Sequence, residues 1–386
     1  MASSTKQFDV CIVALADLRI DARTINIATA LSSSGLRVVC VAPDISNGAV
    51  FEGFTTMYVP VGRTHGTPKQ QRLWQQWMEF SRSVMSIRSS ISSRMFWASD
   101  LWSLRAARGC ARHHRAALLY DAREMYSALG TLSKRPLMQF AVSMMERYYA
   151  GAVDRITVSG PMDAEYVRAQ LRRQELPDVI LNVPPLSRVQ STDTIRQQCS
   201  IPHEHSVALY QGAVLEGRGI GVLIDAMEFA PHMHACILGD GPARAMYMEY
   251  ASAKPWHDRI HFPGGIPNSE LAVWTASADV GMCFIEPQSL SYRLALPHKL
   301  FEYAMARIPA LVSDLPAMRR VMEQFPFGEL VATTASPQEC ALQLECLVRN
   351  APSYVPFAEA AAAVYNREAQ HAEIVRIASE TMNAHD

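Results

Sequence analysis

Apolar residues in this chain come in short blocks, separated by stretches with helical spacing. Phe8 to Ala16 is an apolar run of strand length. Ala22 to Ser34 repeats apolar residues at helical spacing and stops at Gly35, a residue suited to a helix C-terminus. Arg37 to Ala42 is a second predicted strand, closed by Pro43 and Asp44. Strand, helix, strand in this order predicts a parallel sheet covered by helices. The pattern restarts at Val207 to Gln211, a strand followed by a turn over Gly212 to Gly219. Val222 to Phe229 reads as a helix, and Ala235 to Leu238 as a strand ending in Gly239-Asp240-Gly241-Pro242. Arg259 to Phe262, Val280 to Phe284 and Ala310 to Val312 read as further strands. Between the two series, Pro184 to His205 is polar and rich in Ser, Thr, Gln and Pro, as a linker would be. The expectation is an α/β protein with two doubly wound domains facing across a cleft. Their bounds are 1–185 and 207–355, with a linker at 186–206. A helical segment, 356–386, is expected to cross back to the first domain. Ligands of such sheets bind at the carboxyl ends of the strands.

Composition narrows the class. With 386 residues, 49% of them hydrophobic, and a net charge of -1, the chain is globular and too long for one typical core. That balance excludes a polyanion-coating protein, and no nucleic-acid partner is expected. None of the eight cysteines forms a Cys-x-x-Cys pair, and several sit in strand-like runs, so buried reduced thiols are expected. Polar Ser3 to Gln7 before a short apolar run do not read as a signal peptide, and no run approaches the roughly 20 residues of a membrane span. A cytoplasmic protein is the expectation. Ala14 to Asp21 contains no glycine, so the dinucleotide fingerprint after the first strand is missing.

The stretch 63–115 stands apart. Lysines and arginines far outnumber Glu79 and Asp100, and Trp74, Trp77, Phe80, Phe96, Trp97 and Trp102 are interleaved with them. Such a stretch suits the anionic inner face of a plasma membrane, as a peripheral contact. It equally suits a helical hairpin whose aromatic residues face the core and whose arginines face water.

The most informative chemistry lies in Leu296 to Tyr303. Pro297 suits a helix start, and Lys299 and Glu302, three residues apart, share a face near that N-terminus. A cation, a carboxylate and free backbone N–H groups at one corner can hold a phosphate and a sugar hydroxyl together. Elsewhere Tyr210 to Gly219, Leu238 to Pro242, His261 to Ile266 and Ser291 to Tyr303 follow in an ordered series. Together they resemble the GT-B glycosyltransferases, more narrowly the retaining "group 1" enzymes that use nucleotide-sugar donors. In the first domain, Tyr120 to Glu124, Thr157 to Ser159 and Ile180 to Pro184 resemble the corresponding strand ends of that family.

The resemblance implies a catalytic set of Arg218, Lys299 and Glu302. Arg218 and Lys299 would hold the diphosphate, and Glu302 the donor ribose. Gly212, Gly219, Gly239, Gly241, Ile266 and Pro297 would line the donor site, with Ile266 beside the nucleobase. Asp100, Arg123 and Glu124 would face the acceptor or the sugar, although Asp100 also suits a helix cap and Arg123 with Glu124 an ion pair. The donor would be a UDP- or GDP-sugar, with no obligatory cofactor or metal, and the acceptor a sugar or a lipid-linked sugar. Two cations suit this chemistry because charge grows on the diphosphate as the glycosidic bond breaks. The departures are specific. Leu294 stands where the family carries a first glutamate, with Glu286 upstream and off register. No arginine precedes Arg218 closely, where Ala213 and Val214 stand instead. A nucleotide-sugar epimerase or hydrolase, or a non-catalytic membrane-associated nucleotide-binding partner, are the other readings of the same residues. His203-x-His205 and His232-x-His234 are expected to be surface histidines rather than metal ligands.

Overall fold

In the computed structural model, which describes residues 7–45, 48–62, 69–129, 132, 135–187 and 189–385, two parallel sheets carry the chain. The first comprises β1 (Gln7–Val13), β2 (Val38–Pro43), β3 (Thr55–Val59), β4 (Ser92–Ala98), β5 (Ala117–Ala122), β6 (Arg155–Val158) and β7 (Asp178–Val179). Their order is β3-β2-β1-β4-β5-β6-β7. The second comprises β8 (Ser206–Gln211), β9 (Met233–Leu238), β10 (Ile260–Gly264), β11 (Val280–Cys283), β12 (Ala310–Ser313) and β13 (Gly328–Val331), in the order β10-β9-β8-β11-β12-β13. In each sheet the chain winds outward from one central strand, β1 or β8, and then resumes on its other side at β4 or β11. That reversal is the topological switch point, where ligands of doubly wound sheets bind.

The chain divides into two compact units, residues Met1–Leu181 with Gln370–Asp386, and Asn182–Ala369. In the first, successive strand residues enter opposite cores. Val10, Ile12, Met95 and Trp97 pack on one face, and Cys11, Val13, Phe96 and Ala98 on the other. Burial on both faces explains why these strands are apolar throughout rather than alternating. Helix Arg367–His385 supplies Ile374, Ile377, Ala378 and Met382 to the first of those cores. The second unit begins earlier than a linker at 186–206 would have it. Helix Thr194–Cys199 lies in that segment, with Ile195 buried, its N–H donating to Ser277 Oγ at 3.1 Å, and Arg196 paired to Asp279 at 2.5 Å. Residues 356–369 also stay with the second unit, most of them in helix Ala351–Val364.

The 63–115 stretch needs correction. It is not a simple helical hairpin, because it holds β4, the strand beside β1 at the centre of the sheet, between helices Lys69–Ser86 and Leu101–His114. Phe96 and Trp97 are buried there on opposite faces, and Trp77 and Phe80 of helix Lys69–Ser86 are buried as well. Core packing, not a lipid surface, accounts for most of its aromatic content. Residues 63–68 lie outside the described residues.

Candidate functional site

The site in the second unit is built on helix His298–Met305, which follows Pro297 and has no side-chain cap. An uncapped N-terminus leaves N–H groups free to face a ligand. Tyr303 fixes the helix at the switch point. Its buried hydroxyl donates to the carbonyls of Leu209 in β8, at 3.0 Å, and Met282 in β11, at 3.3 Å. Gly281 is required beneath that ring, because a Cβ there would lie 2.5 Å from it.

Glu302 is held at both carboxylate oxygens. Gln211, the last residue of β8, donates from Nε2 to one, and Gln211 is itself oriented by Thr275 Oγ1, which donates to its Oε1 at 2.8 Å. His298 Nδ1 lies 2.8 Å from the other, one helical turn away. Burial acts to raise the carboxyl pKa. The hydrogen bond and charge of His298, the Gln211 bond and the Lys299 charge outweigh it and hold Glu302 below the ordinary value.

Lys299 has the opposite environment. It is buried, and its Nζ has no hydrogen-bond partner among the described residues. That atom sits 3.5 Å from the centre of the Tyr210 ring, a cation–π contact. Burial pushes its pKa down to about 7, with the neighbouring Arg218 acting the same way and Cys283 and Glu302 opposing. The Arg218 guanidinium stacks over Tyr292, 4.5 Å from the ring centre. This crevice therefore combines a buried amino group without an acceptor among the described residues, a cation held by an aromatic face, and a fixed carboxylate.

Backbone close approach shapes the rest of the corner. Gly239 has φ of +137° and no room for a Cβ, which would lie 2.0 Å from the Gly212 carbonyl oxygen. Gly219, at φ of +73°, precedes helix Ile220–Ala226 and presses on Phe284. Gly241 lies against Val214, and Gly212 follows Gln211 directly. Ile266 is half-buried just beyond β10. Leu294, also half-buried, ends the short helix Leu290–Arg293 and places no carboxylate there. Gln211, Thr275, His298, Tyr210 and Tyr292 were missed as site residues by sequence reasoning. His298 was within reach, since it stands four residues before Glu302 on a predicted helix.

The first unit places charged residues at its own switch point, and there they are tied to one another. Asp121, at the end of β5, accepts from Arg23 at 2.7 and 2.8 Å and from Thr157 at 2.9 Å. Arg123 donates to Asp121 at 3.2 Å and to Asp21 at 2.8 and 2.9 Å. Burial works against the Arg123 charge, but Asp121, Asp21 and Asp100 outweigh it and hold its pKa above the ordinary value. Asp100 accepts from the Ser103 N–H at 2.6 Å and forms a capping box at the start of helix Leu101–His114. Glu124 is exposed just beyond β5.

Of the two histidine pairs, His203 and His232 are exposed as expected and His205 is half-buried, but His234 is not a surface residue. His234 is buried between two rings, with its Nε2 2.9 Å from His205 Nδ1 and its Nδ1 2.9 Å from His261 Nε2. Burial, reinforced by His261 and His205, pushes its pKa down to about 4. Among the described residues, no group of three or more His, Cys, Asp or Glu is arranged to hold a metal ion.

Comparison with known proteins agrees with this architecture. The model of the family described as "Glycosyl transferases group 1" matches residues 191–364. A curated relative, the putative teichuronic acid biosynthesis glycosyltransferase TuaC of Bacillus subtilis, is 24% identical over 169 residues. That match covers 42% of this chain and 39% of the relative's length. Among solved structures, sucrose-phosphate synthase from Thermosynechococcus elongatus superimposes with a TM-score of 0.79 at 16% identity, covering 98% of this chain and all of that one. HepE of Anabaena, in complex with UDP-glucose, superimposes with a TM-score of 0.73 at 13% identity, again over 98% of this chain and all of the other. These likenesses establish the two-sheet GT-B fold. Within that fold, residues 191–364 are similar to the group 1 glycosyl transferases.

Proposed function

We propose that the protein is a retaining glycosyltransferase that moves a sugar from a UDP- or GDP-sugar to an acceptor hydroxyl, in cell-surface polysaccharide or glycolipid assembly. The observation that carries this is the buried amino group of Lys299, which has no hydrogen-bond partner among the described residues, set beside Arg218 and an uncapped helix N-terminus. A buried polar group without a partner is costly unless a ligand supplies one. A diphosphate supplies oxygens and negative charge together. The named relatives fit: TuaC in teichuronic acid biosynthesis, and HepE with UDP-glucose.

In this scheme Lys299 and Arg218 bind the diphosphate, Glu302 accepts from the ribose hydroxyls, and the close backbone at Gly212, Gly239 and Gly241 lets the nucleotide approach. Pro297 sets the helix start, and Ile266 borders the nucleobase. The glycosidic C–O bond to the phosphate breaks as the acceptor oxygen attacks the same face. The acceptor proton leaves with the departing diphosphate. Fixed cations stabilise the charge that grows on that leaving group, with no reorganisation at the moment of reaction. The second unit thus binds the donor, and the first the acceptor, a sugar or a lipid-linked sugar. The protein would work in the cytoplasm, peripherally at the inner face of the plasma membrane.

Leu294 favours a second reading. Without a carboxylate at that position, the crevice could bind the nucleotide and not transfer. Incubating the protein with a panel of UDP- and GDP-sugars and a lipid-linked acceptor separates the two. Transfer with retained anomeric configuration, read by NMR, supports the enzyme. Nucleotide binding without any turnover supports the second reading. Free nucleoside diphosphate with altered sugar and no acceptor product points to an epimerase or hydrolase.

A further inference from the structure

Helix Pro136–Ala150 in the first unit exposes an apolar stripe. Leu137 is 85% exposed, Phe140 66%, Met144 46% and Tyr148 67%. Their spacing of three and four residues places them on one side of the helix. A stripe of this kind on a globular surface marks something that covers it. The only acid in the helix, Glu146, points inward, where it accepts from the buried Tyr120 hydroxyl at 2.8 Å.

The adjacent helix Leu101–His114 carries Arg105, Arg108 and Arg112 at intervals of three and four, so they form one row. This row runs beside the stripe. The Arg108 guanidinium lies over the Tyr148 ring, 4.9 Å from its centre, and Arg105 over Trp77 at 5.4 Å. Trp77 in turn contacts Tyr149 at 6.1 Å and the exposed Trp74 at 4.6 Å. The surface is therefore apolar along one helix and cationic along the next, with tryptophan and tyrosine between. Aromatic rings at a boundary, apolar side chains on one side and arginines on the other suit a bilayer surface bearing anionic headgroups.

We propose that the helix Pro136–Ala150 and the Arg105–Arg112 row dock on an anionic lipid bilayer. The stripe inserts among the acyl chains near the headgroups, and the arginine row meets lipid phosphates. This deepens the location proposed above and names the element that achieves it, which is not the stretch 63–115 as a whole. Vesicle binding requires no turnover, so its outcome is independent of the transfer reading.

The test is co-sedimentation of the full chain with phosphatidylcholine vesicles, with and without phosphatidylglycerol, at low and high salt. The intact protein is expected to bind the phosphatidylglycerol vesicles, and less at high salt. Leu137→Ser with Phe140→Ser should weaken that binding by about tenfold or more. Arg112→Glu, at an exposed position, should weaken it about fivefold or more on the anionic vesicles alone. Leu342→Ser, an exposed apolar residue of the second unit, should leave it unchanged. No binding to anionic vesicles, or equal binding by the Leu137/Phe140 variant, overturns the proposal. So does a concentration-dependent dimer by ultracentrifugation that this variant abolishes, since a second copy would then be the occupant.

Discussion

The two switch points of this protein have the same topology and opposite electrostatics. In the first unit, Arg23, Asp121, Arg123 and Asp21 satisfy one another almost completely. In the second, Lys299 is buried with no acceptor among the described residues, and Arg218 rests on a tyrosine ring. A crevice whose charges already pair is finished as a structure. One that buries an unpaired amino group is stable only at a cost, in lost hydrogen bonding or a lost proton, which a bound anion removes. Fold position alone therefore does not distinguish the two crevices, whereas the unsatisfied buried group at that position does.

The comparison can be broken at either unit. The largest effect belongs to the first. Asp121→Ala leaves the buried Arg23 without its carboxylate, and should destabilise the first unit by about 3–5 kcal/mol. Urea unfolding would read it, and a loss below about 1 kcal/mol would mean the pairing is not structural. Next, Lys299→Ala should lower turnover with a nucleotide sugar by about 10²–10³-fold, the scale of removing one preorganised stabilising group. Unchanged turnover in single-turnover assays would remove Lys299 from the chemistry. Glu302→Ala should weaken nucleotide affinity by about 1.5–3 kcal/mol, as for a hydrogen bond to a charged group, measured by calorimetry. The smallest effect is at the cap. Asp100→Ala should cost about 1 kcal/mol in thermal stability and leave kcat/KM unchanged. A selective fall in kcat/KM would restore Asp100 to the substrate site.

Much of this was legible in the sequence, for identifiable reasons. The alternation of apolar blocks and helical spacing placed β1, β2, β8, β9 and β11, because both-face burial makes those strands apolar throughout. Lys299 and Glu302 were legible because their geometry is local to one helix turn. The partners of Glu302 were not. Gln211 and Thr275 lie 91 and 27 residues away in sequence, and only the sheet brings them to it. Arg123 was left open between substrate and ion pair because Asp21, 102 residues upstream, closes that pair. Within 63–115 the strand β4 was not legible, since a strand buried on both faces and an interfacial apolar run share one composition. The exposed stripe on Pro136–Ala150 went unnoticed because its apolar content alone reads as an ordinary core-facing helix.

The pH behaviour of Lys299 connects this electrostatic contrast to ligand binding. Its pKa in the folded chain is pushed down to about 7, from an ordinary 10.5. Between those values the unfolded chain holds the proton and the folded chain does not. Stability should therefore rise with pH across that window, by up to about 1.4 kcal/mol per pH unit. A diphosphate beside Nζ favours the charged form, so binding near pH 8 must draw in a proton. The most direct measurement is calorimetric titration with UDP at pH 8, in two buffers of different ionisation enthalpy, for the intact protein and Lys299→Met. The prediction is uptake approaching one proton on binding, lost together with most of the affinity in the variant. Equal affinity in the variant, with no proton uptake in either protein, would contradict the assignment of this crevice as a diphosphate site.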